Sequence, residues 1–289
     1  MKKSNINEHP IADNLQHTQD VERLARLLEF EQLISDLSAR FVNISPDKLD
    51  AEIRISLKRI YEFFGCDRCA LLEGMPDEQI WEITHIAAVE NAPTVPVASK
   101  LPAAITPWVF EKLAKKEIVS FSNLDDLPAE ANIDKQTFRE WEIRSNLSIP
   151  IIVDGSVTHI IAINAIKNES VWPRELVSRV QLLGELFVNA LERRKVRLQL
   201  EEQLAFEMLL TEISGHFINM PVDQIDSEIE DVQRRVCESI GLDLSTLWQL
   251  SMETPRNLIL THFYRRLEGP PPPEPMNANE HHPWSLQQI

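Results

Sequence analysis

Three groups of residues in this chain could do chemistry by type and spacing. The first is Cys66-x-x-Cys69, which has the spacing of a metal site or a dithiol redox couple. Zinc would need a second ligand pair, and none follows, so no metal is expected. The pair stands at the entrance of a strand-like run, which leaves two readings open: core cysteines or a redox-sensitive pair. The second group is histidine. His85 and His262 each follow a threonine in a strand-like segment. Each fits a hydrogen-bonded sheet histidine or a ligand-facing one, whereas His281-His282 reads as loop surface. The third group is Trp108, Phe121, Arg144 and Asn164, which with His85 make the candidate ligand-binding set. Trp108 follows Pro107 at the start of a short helix, where an indole either stacks on a ligand or plugs the core. Phe121 closes the short strand that comes next. Arg144 heads a long strand, where a guanidinium could hold an anion bidentately or pair with the acids of 125–142. Asn164 interrupts an apolar strand, and pointing inward it must be hydrogen-bonded to protein, water or ligand. Catalysis has little support. There is no G-x-S-x-G turn and no H-E-x-x-H, and Asp125-Asp126 has no base in view.

Elements that could position these residues read clearly in places. Residues 1–18 are polar and irregular, as in a disordered tail. Apolar residues recur at helical spacing over 19–42. Ser45-Pro46-Asp47 breaks that helix, with Ser45 as N-cap of a second one that Gly65 ends. Strands are expected at 67–72 and 80–89. Prolines 93, 96 and 102 make 91–106 a loop. A short helix over 107–115, a strand at 118–121, an acidic loop at 124–134 and a short helix near 135–141 follow. Two long strands, 145–153 and 157–166, flank Asp154-Gly155, a hairpin signal because both central residues need positive φ. From 172 to 213 the pattern stays helical, too long for an ordinary globular helix. It suits a short coiled coil in a parallel homodimer, through the 19–42 and 172–213 helices. The order predicts an α+β fold, an antiparallel sheet with helices mainly on one side.

Composition sets the outer limits. The 289 residues carry a formal charge of −16, from 29 Lys and Arg against 45 Asp and Glu. That balance argues against a nucleic-acid surface. No apolar run is long enough to span a membrane, and the N-terminus lacks the apolar core of a signal peptide. With three cysteines, a reducing cytoplasm is expected. Only 7 glycines occur, and none are spaced for a dinucleotide fingerprint or a P-loop.

The chain also repeats itself. The offset of 176 that separates Phe30-Glu31-Gln32-Leu33 from Phe206-Glu207-Met208-Leu209 also relates Asp50 to Asp226, Arg59 to Arg235, Gly65 to Gly241 and Leu71 to Leu247. Thr84-His85 matches Thr261-His262 after one insertion, and Pro107-Trp108 matches Pro283-Trp284. The organisation expected is a tail at 1–18, a complete unit at 19–196, and at 197–289 a linking helix with the first half of a second unit. Counterparts of strands 145–153 and 157–166 are missing from that half. An unpaired sheet edge is therefore expected, with partial disorder or completion by another chain.

Several segments together resemble a known family. They are Ser38-Ala39-Arg40-Phe41-Val42-Asn43, Cys66-Asp67-Arg68-Cys69-Ala70-Leu71, Leu124-Asp125-Asp126-Leu127-Pro128 and Ile143-Arg144-Ser145-Asn146-Leu147-Ser148-Ile149-Pro150-Ile151. Their order is similar to the GAF domain of bacterial sensor histidine kinases and sigma-54-type activators. The resemblance covers 20–200 fully and 200–289 as a truncated second copy. It implies a six-stranded antiparallel sheet flanked by helices and a small-molecule cavity on one sheet face. It also implies a lid made by the 107–115 helix and dimerisation through terminal helices. The cyclic-nucleotide signature is missing, as are the bilin D-I-P motif and chromophore cysteine, so the ligand stays unknown. The expectation is a non-catalytic cytoplasmic sensory module whose kinase or activator output lies outside this chain. The alternatives are a thiol oxidoreductase using Cys66 and Cys69, and a ligand-free interaction scaffold.

Overall fold

The structure is a computed structural model and describes residues 9–75, 78–93, 96–218, 220–253, 257–269 and 276–277. Its two compact units span 1–195 and 196–289, and one helix crosses the boundary. Residues 281–284, with the expected His281-His282 and Pro283-Trp284, lie outside the described residues.

The first unit opens with α1, His9–Val42. This helix begins ahead of the expected start at 19, so 9–18 are helical and not part of an irregular tail. Ser45 precedes a 3-10 turn, Pro46–Lys48, and its side chain makes no capping bond. Then comes α2, Leu49–Phe64, ended by Gly65 in the left-handed region at φ 64°. Six strands follow: β1 Arg68–Met75, β2 Ile80–Ala88, β3 Lys100–Pro102, β4 Val119–Phe121, β5 Ser145–Val153 and β6 Ser156–Ala165. Their order in the sheet is β3-β2-β1-β6-β5-β4, and every pairing is antiparallel. β3 forms inside the segment expected to be loop. Pro102 pairs with Ile80 on the outermost strand, where a missing N–H costs no ladder bond. The 124–134 segment holds two 3-10 turns. The first carries a capping box between Asn123 and Asp126. The short helices are α3, Pro107–Ala114, and α4, Asn132–Glu140. At the β5–β6 turn, Asp154 and Gly155 have φ of 49° and 79°, the positive values the hairpin signal demands.

The sheet is covered on both faces, and strand alternation decides which residue goes where. Cys69, Leu71, Leu147, Ile149, Ile151, Ile161 and Ile163 face the long helices and pack with Phe30, Phe41, Ile53, Leu57 and Phe187. Ala70, Leu72, Trp81, Ile83 and Ile160 face α3 and α4. The helix that closes the first face is α5, Arg174–Ile218. It runs alongside α1 in the same direction. Arg23 pairs with Glu175 at 3.2 Å, Arg179 pairs with Glu31, and Arg193 Nη2 donates to the Phe41 carbonyl at 3.1 Å. Gly184 lets the α5 backbone reach the sheet. A Cβ there would collide with Ile151 Cδ1.

The second unit contains the last part of α5, then a 3-10 turn, Val222–Gln224, and α6, Ile225–Ile240. Gly241 ends α6 at φ 69°. Strands β7, Leu244–Leu250, and β8, Asn257–Arg265, form an antiparallel hairpin, and β9, Met276–Asn277, pairs with β8. Glu212 pairs with Arg235 at 2.7 Å, His216 with Glu228 at 3.1 Å, and His262 with Asp226 at 3.2 Å.

Candidate functional site

Between the sheet and the α3–α4 layer of the first unit lies a cavity of about 90 Å³. Sheet register builds its floor in three rows. Arg68, Asn164 and Asn146 stand side by side on β1, β6 and β5. The next row is Ala70, Ala162 and Ser148, and the one after holds Leu72 and Ile160. Polarity therefore falls along the cavity, from charged to apolar. Trp81, Ile83, Val109, Leu113, Phe138, Trp141 and Ile143 line the rest, with Ile86, Leu101 and Thr106.

The polar row is internally bonded. Arg68 Nε donates to Asn164 Oδ1 at 3.1 Å, and its Nη1 donates to the Pro93 carbonyl at 3.1 Å. Asn164 Nδ2 donates to Asn146 Oδ1 at 2.9 Å, and Ser148 Oγ donates to the same oxygen at 3.1 Å. Arg68 is 4% exposed, and burial pulls its pKa below the usual arginine value. The roof is held by Asp134. Its carboxylate accepts the Val109 N–H at 2.9 Å and the Trp108 N–H at 3.2 Å, capping α3 from α4. Burial raises the Asp134 pKa, against these two N–H donors, which lower it. Thr137 Oγ1 donates to the Ile105 carbonyl at 2.6 Å and ties α4 to the turn that precedes α3.

Of the residues singled out from sequence, Asn164 lines the cavity, and Trp108, Phe121, Arg144 and His85 do not. Trp108 is half-buried and packs against the core on this side of the sheet without reaching the cavity, with Lys112 Nζ 5.8 Å from its ring centroid. Phe121 is buried against Phe138, ring centroids 5.1 Å apart, and Phe138 is the one that reaches the cavity. The Arg144 side chain is exposed, while its backbone N–H donates to the Ala165 carbonyl at 2.9 Å. His85 lies across the sheet, where its Nε2 is 3.0 Å from Asp50 Oδ1, which also takes Arg194 Nη1 at 2.8 Å. Burial lowers the His85 pKa, opposed by Asp50.

Cys66 and Cys69 are free and buried among the residues facing the long helices. Burial pushes Cys66 up to about 11 and Cys69 well above the ordinary thiol value, so neither is a thiolate at neutral pH. Among the described residues, no group of three or more His, Cys, Asp and Glu is placed to hold a metal ion. No helix there is long and apolar enough to cross a membrane.

Sequence reasoning passed over Arg68, Asn146, Ser148, Trp81 and Trp141 as site residues. A signal was present for three of them. Arg68, Asn146 and Ser148 are polar at strand positions that a sheet covered on both faces should fill with apolar residues.

Residues 48–191 match the model of the GAF domain. Among solved structures, bacteriophytochrome RpBphP3 from the photosynthetic bacterium R. palustris is similar at 9% identity with a TM-score of 0.62. That likeness covers 83% of this chain and 50% of that one. The Stigmatella aurantiaca phytochrome photosensory core module is similar at 14% identity and a TM-score of 0.58, over 76% of this chain and 47% of that one. This chain thus spans about half of either protein. The phycoerythrobilin-bound GAF domain of a cyanobacterial phytochrome matches at 14% identity and a TM-score of 0.49, over 59% of this chain and 98% of that one. Comparison with curated protein sequences gives no match.

Proposed function

From the premise that residues 48–191 of this chain are a GAF domain, we propose that it is a non-catalytic sensory module. Its cavity takes a small molecule, two copies pair through α1 and α5, and α5 carries the state of the cavity beyond residue 195 toward an output. The observation that bears this reading is the shared use of β5 and β6. Ser148 and Ile160 on these strands line the cavity, while Ile151 and Ile161 meet α5 at Gly184. A side chain pushed on one face moves the backbone whose next residue touches the signalling helix.

Dimerisation is supported by apolar residues left in water on both helices. Leu200, Leu204 and Met208 form one stripe of α5 at 64%, 59% and 65% exposure, and Val21, Leu24 and Leu28 are exposed on α1. We read 197–289 as the linking helix and first half of a second GAF copy. Two ion pairs support this. Asp36–Arg59 and Arg40–Glu52 recur at the same offset as Glu212–Arg235 and His216–Glu228.

A large chromophore anchored through a cysteine has little support in this cavity. No cysteine lines the cavity, Cys66 and Cys69 lie across the sheet from it, and cofactor-sized sites run to roughly 300–1,000 Å³. The thiol oxidoreductase reading loses support from the protonated, buried cysteines.

Sedimentation equilibrium at high micromolar concentration tests the pairing. A dimer is expected, converted to monomer by Leu204→Glu with Met208→Glu. A strictly monomeric wild-type chain would remove signalling through paired helices.

A further inference from the structure

The polar row of the cavity has a direction. Arginine only donates hydrogen bonds, so Arg68 Nε–H fixes Asn164 with its amide oxygen toward Arg68 and its NH2 away. That NH2 donates to Asn146 Oδ1 and fixes the second amide in turn. The chain ends on Asn146 Nδ2, a buried donor with no acceptor among the described residues. Trp81 Nε1, in the wall of the same cavity, is a second buried donor without one. The partners of Arg68 are both neutral, an amide oxygen and a backbone carbonyl. Among the described residues Arg68 forms no ion pair. A buried guanidinium without a counter-charge and an amide without an acceptor are both costly. One group relieves both, an anion with several lone pairs and no proton to donate.

We propose that this cavity binds a short aliphatic monocarboxylate. Arg68 and the Asn146 amide hold its carboxylate, and its apolar body lies against Leu72, Ile83, Ile160 and Trp81. This rests on the reading of the cavity as a ligand site. Charge sets the head group, because one guanidinium and one amide balance a single negative charge and leave a phosphate dianion under-compensated. Volume sets the body. At about 90 Å³ the cavity is smaller than the roughly 150 Å³ engineered cavity that admits benzene. The polarity gradient sets the orientation, because the rows beyond Arg68 offer methyl, methylene and aromatic surface.

Calorimetric titration of the full chain at neutral pH tests this with matched pairs: propionate against propionamide, and isovalerate against isovaleramide. The acids are expected to bind about tenfold or more tighter than the isosteric amides. Arg68→Met, which keeps the stem of the side chain, is expected to erase that preference. Asn146→Leu is expected to reduce it, and keeps the test open should Arg68→Met fail to fold. Amides that bind as tightly as acids, or an acid preference that survives both substitutions, would overturn the monocarboxylate site and leave the cavity a ligand site of another class. No binding by either acids or amides at millimolar concentration would overturn the ligand-site reading itself.

Discussion

The β1–β2 hairpin of the first unit and the β7–β8 hairpin of the second are built alike and buried differently. Both have a register irregularity at the same place, between Leu71 and Leu72 and between Leu247 and Trp248. In both, a threonine hydroxyl donates to the carbonyl across the ladder, Thr84 to Leu71 and Thr261 to Leu247. In both, the next residue is a histidine bonded to an aspartate near the start of the preceding helix. Yet Leu71 is fully buried and Leu247 is 46% exposed. The difference is what comes after. β1 pairs on its far side with β6, whereas β7 is the last strand of its sheet among the described residues. Local sequence is enough to shape a hairpin. Burying it takes the strands and the closing helix that arrive some 90 residues later in the first unit.

The largest test of that contrast is a pair of matched truncations. Leu71→Ala should destabilise the first unit by about 2–5 kcal/mol, as full burial in a packed core demands. Leu247→Ala should cost within about 1 kcal/mol. Segment-resolved hydrogen exchange under increasing urea reads the two units separately. Equal losses would mean that the second hairpin is covered in solution, by another copy or by chain beyond it.

A smaller effect comes from acid. His159 is buried in β6, and burial pushes its pKa down to about 4, with His85 and Lys195 adding to the shift. Its ordinary value is near 6.5, so as pH falls the unfolded chain takes the proton first. Stability is then complete above pH 6.5 and is lost as pH drops toward 4. The first unit should lose about 2 kcal/mol between pH 7.5 and pH 5. His159→Gln should flatten that profile, measured as the urea midpoint of the first unit against pH. A profile that keeps its slope in the variant would assign the acid sensitivity elsewhere.

The smallest effect separates the two histidine–aspartate pairs. Asp50 is also bonded to Arg194 of α5, while the Asp226 side chain is 90% exposed and bonded to His262. Asp50→Asn should cost on the order of 1 kcal/mol and Asp226→Asn within about 0.5 kcal/mol. Thermal melts of the two variants check the order, and a reversed order would show that the second unit is the better packed of the two.

How far the site could be read from sequence depends on which information each residue needed. Asn164 stood out because a polar residue in an apolar strand must find a partner, and its place in the cavity follows from period-two alternation. Arg144 and Arg68 show the limit. Both precede or begin strands, and type alone favours neither. Arg144 ends in water because it stands one residue outside β5, and Arg68 ends in the cavity because register sets it beside Asn164. Asp134 belongs to an acidic stretch that reads as loop. Its role as the cap of α3 comes from another helix, 25 residues away in the chain. The three-residue strand β3 was hidden by its prolines, because an edge position tolerates what a central strand forbids.

By itself the sequence determined the self-similarity at offset 176, the element order apart from β3, the Asp154-Gly155 hairpin and the long helix. All of these rest on local spacing, turn chemistry or self-similarity, which act over a few residues. Only the tertiary structure decided that Arg68, Asn146 and Asn164 form one row, that the cysteines and His85 face the helices, and that Leu71 and Leu247 have opposite fates. Those outcomes depend on which strands become neighbours. Pairing between strands nearly 100 residues apart is set by the sum of many burial and hydrogen-bond contributions, and no single stretch of sequence contains it.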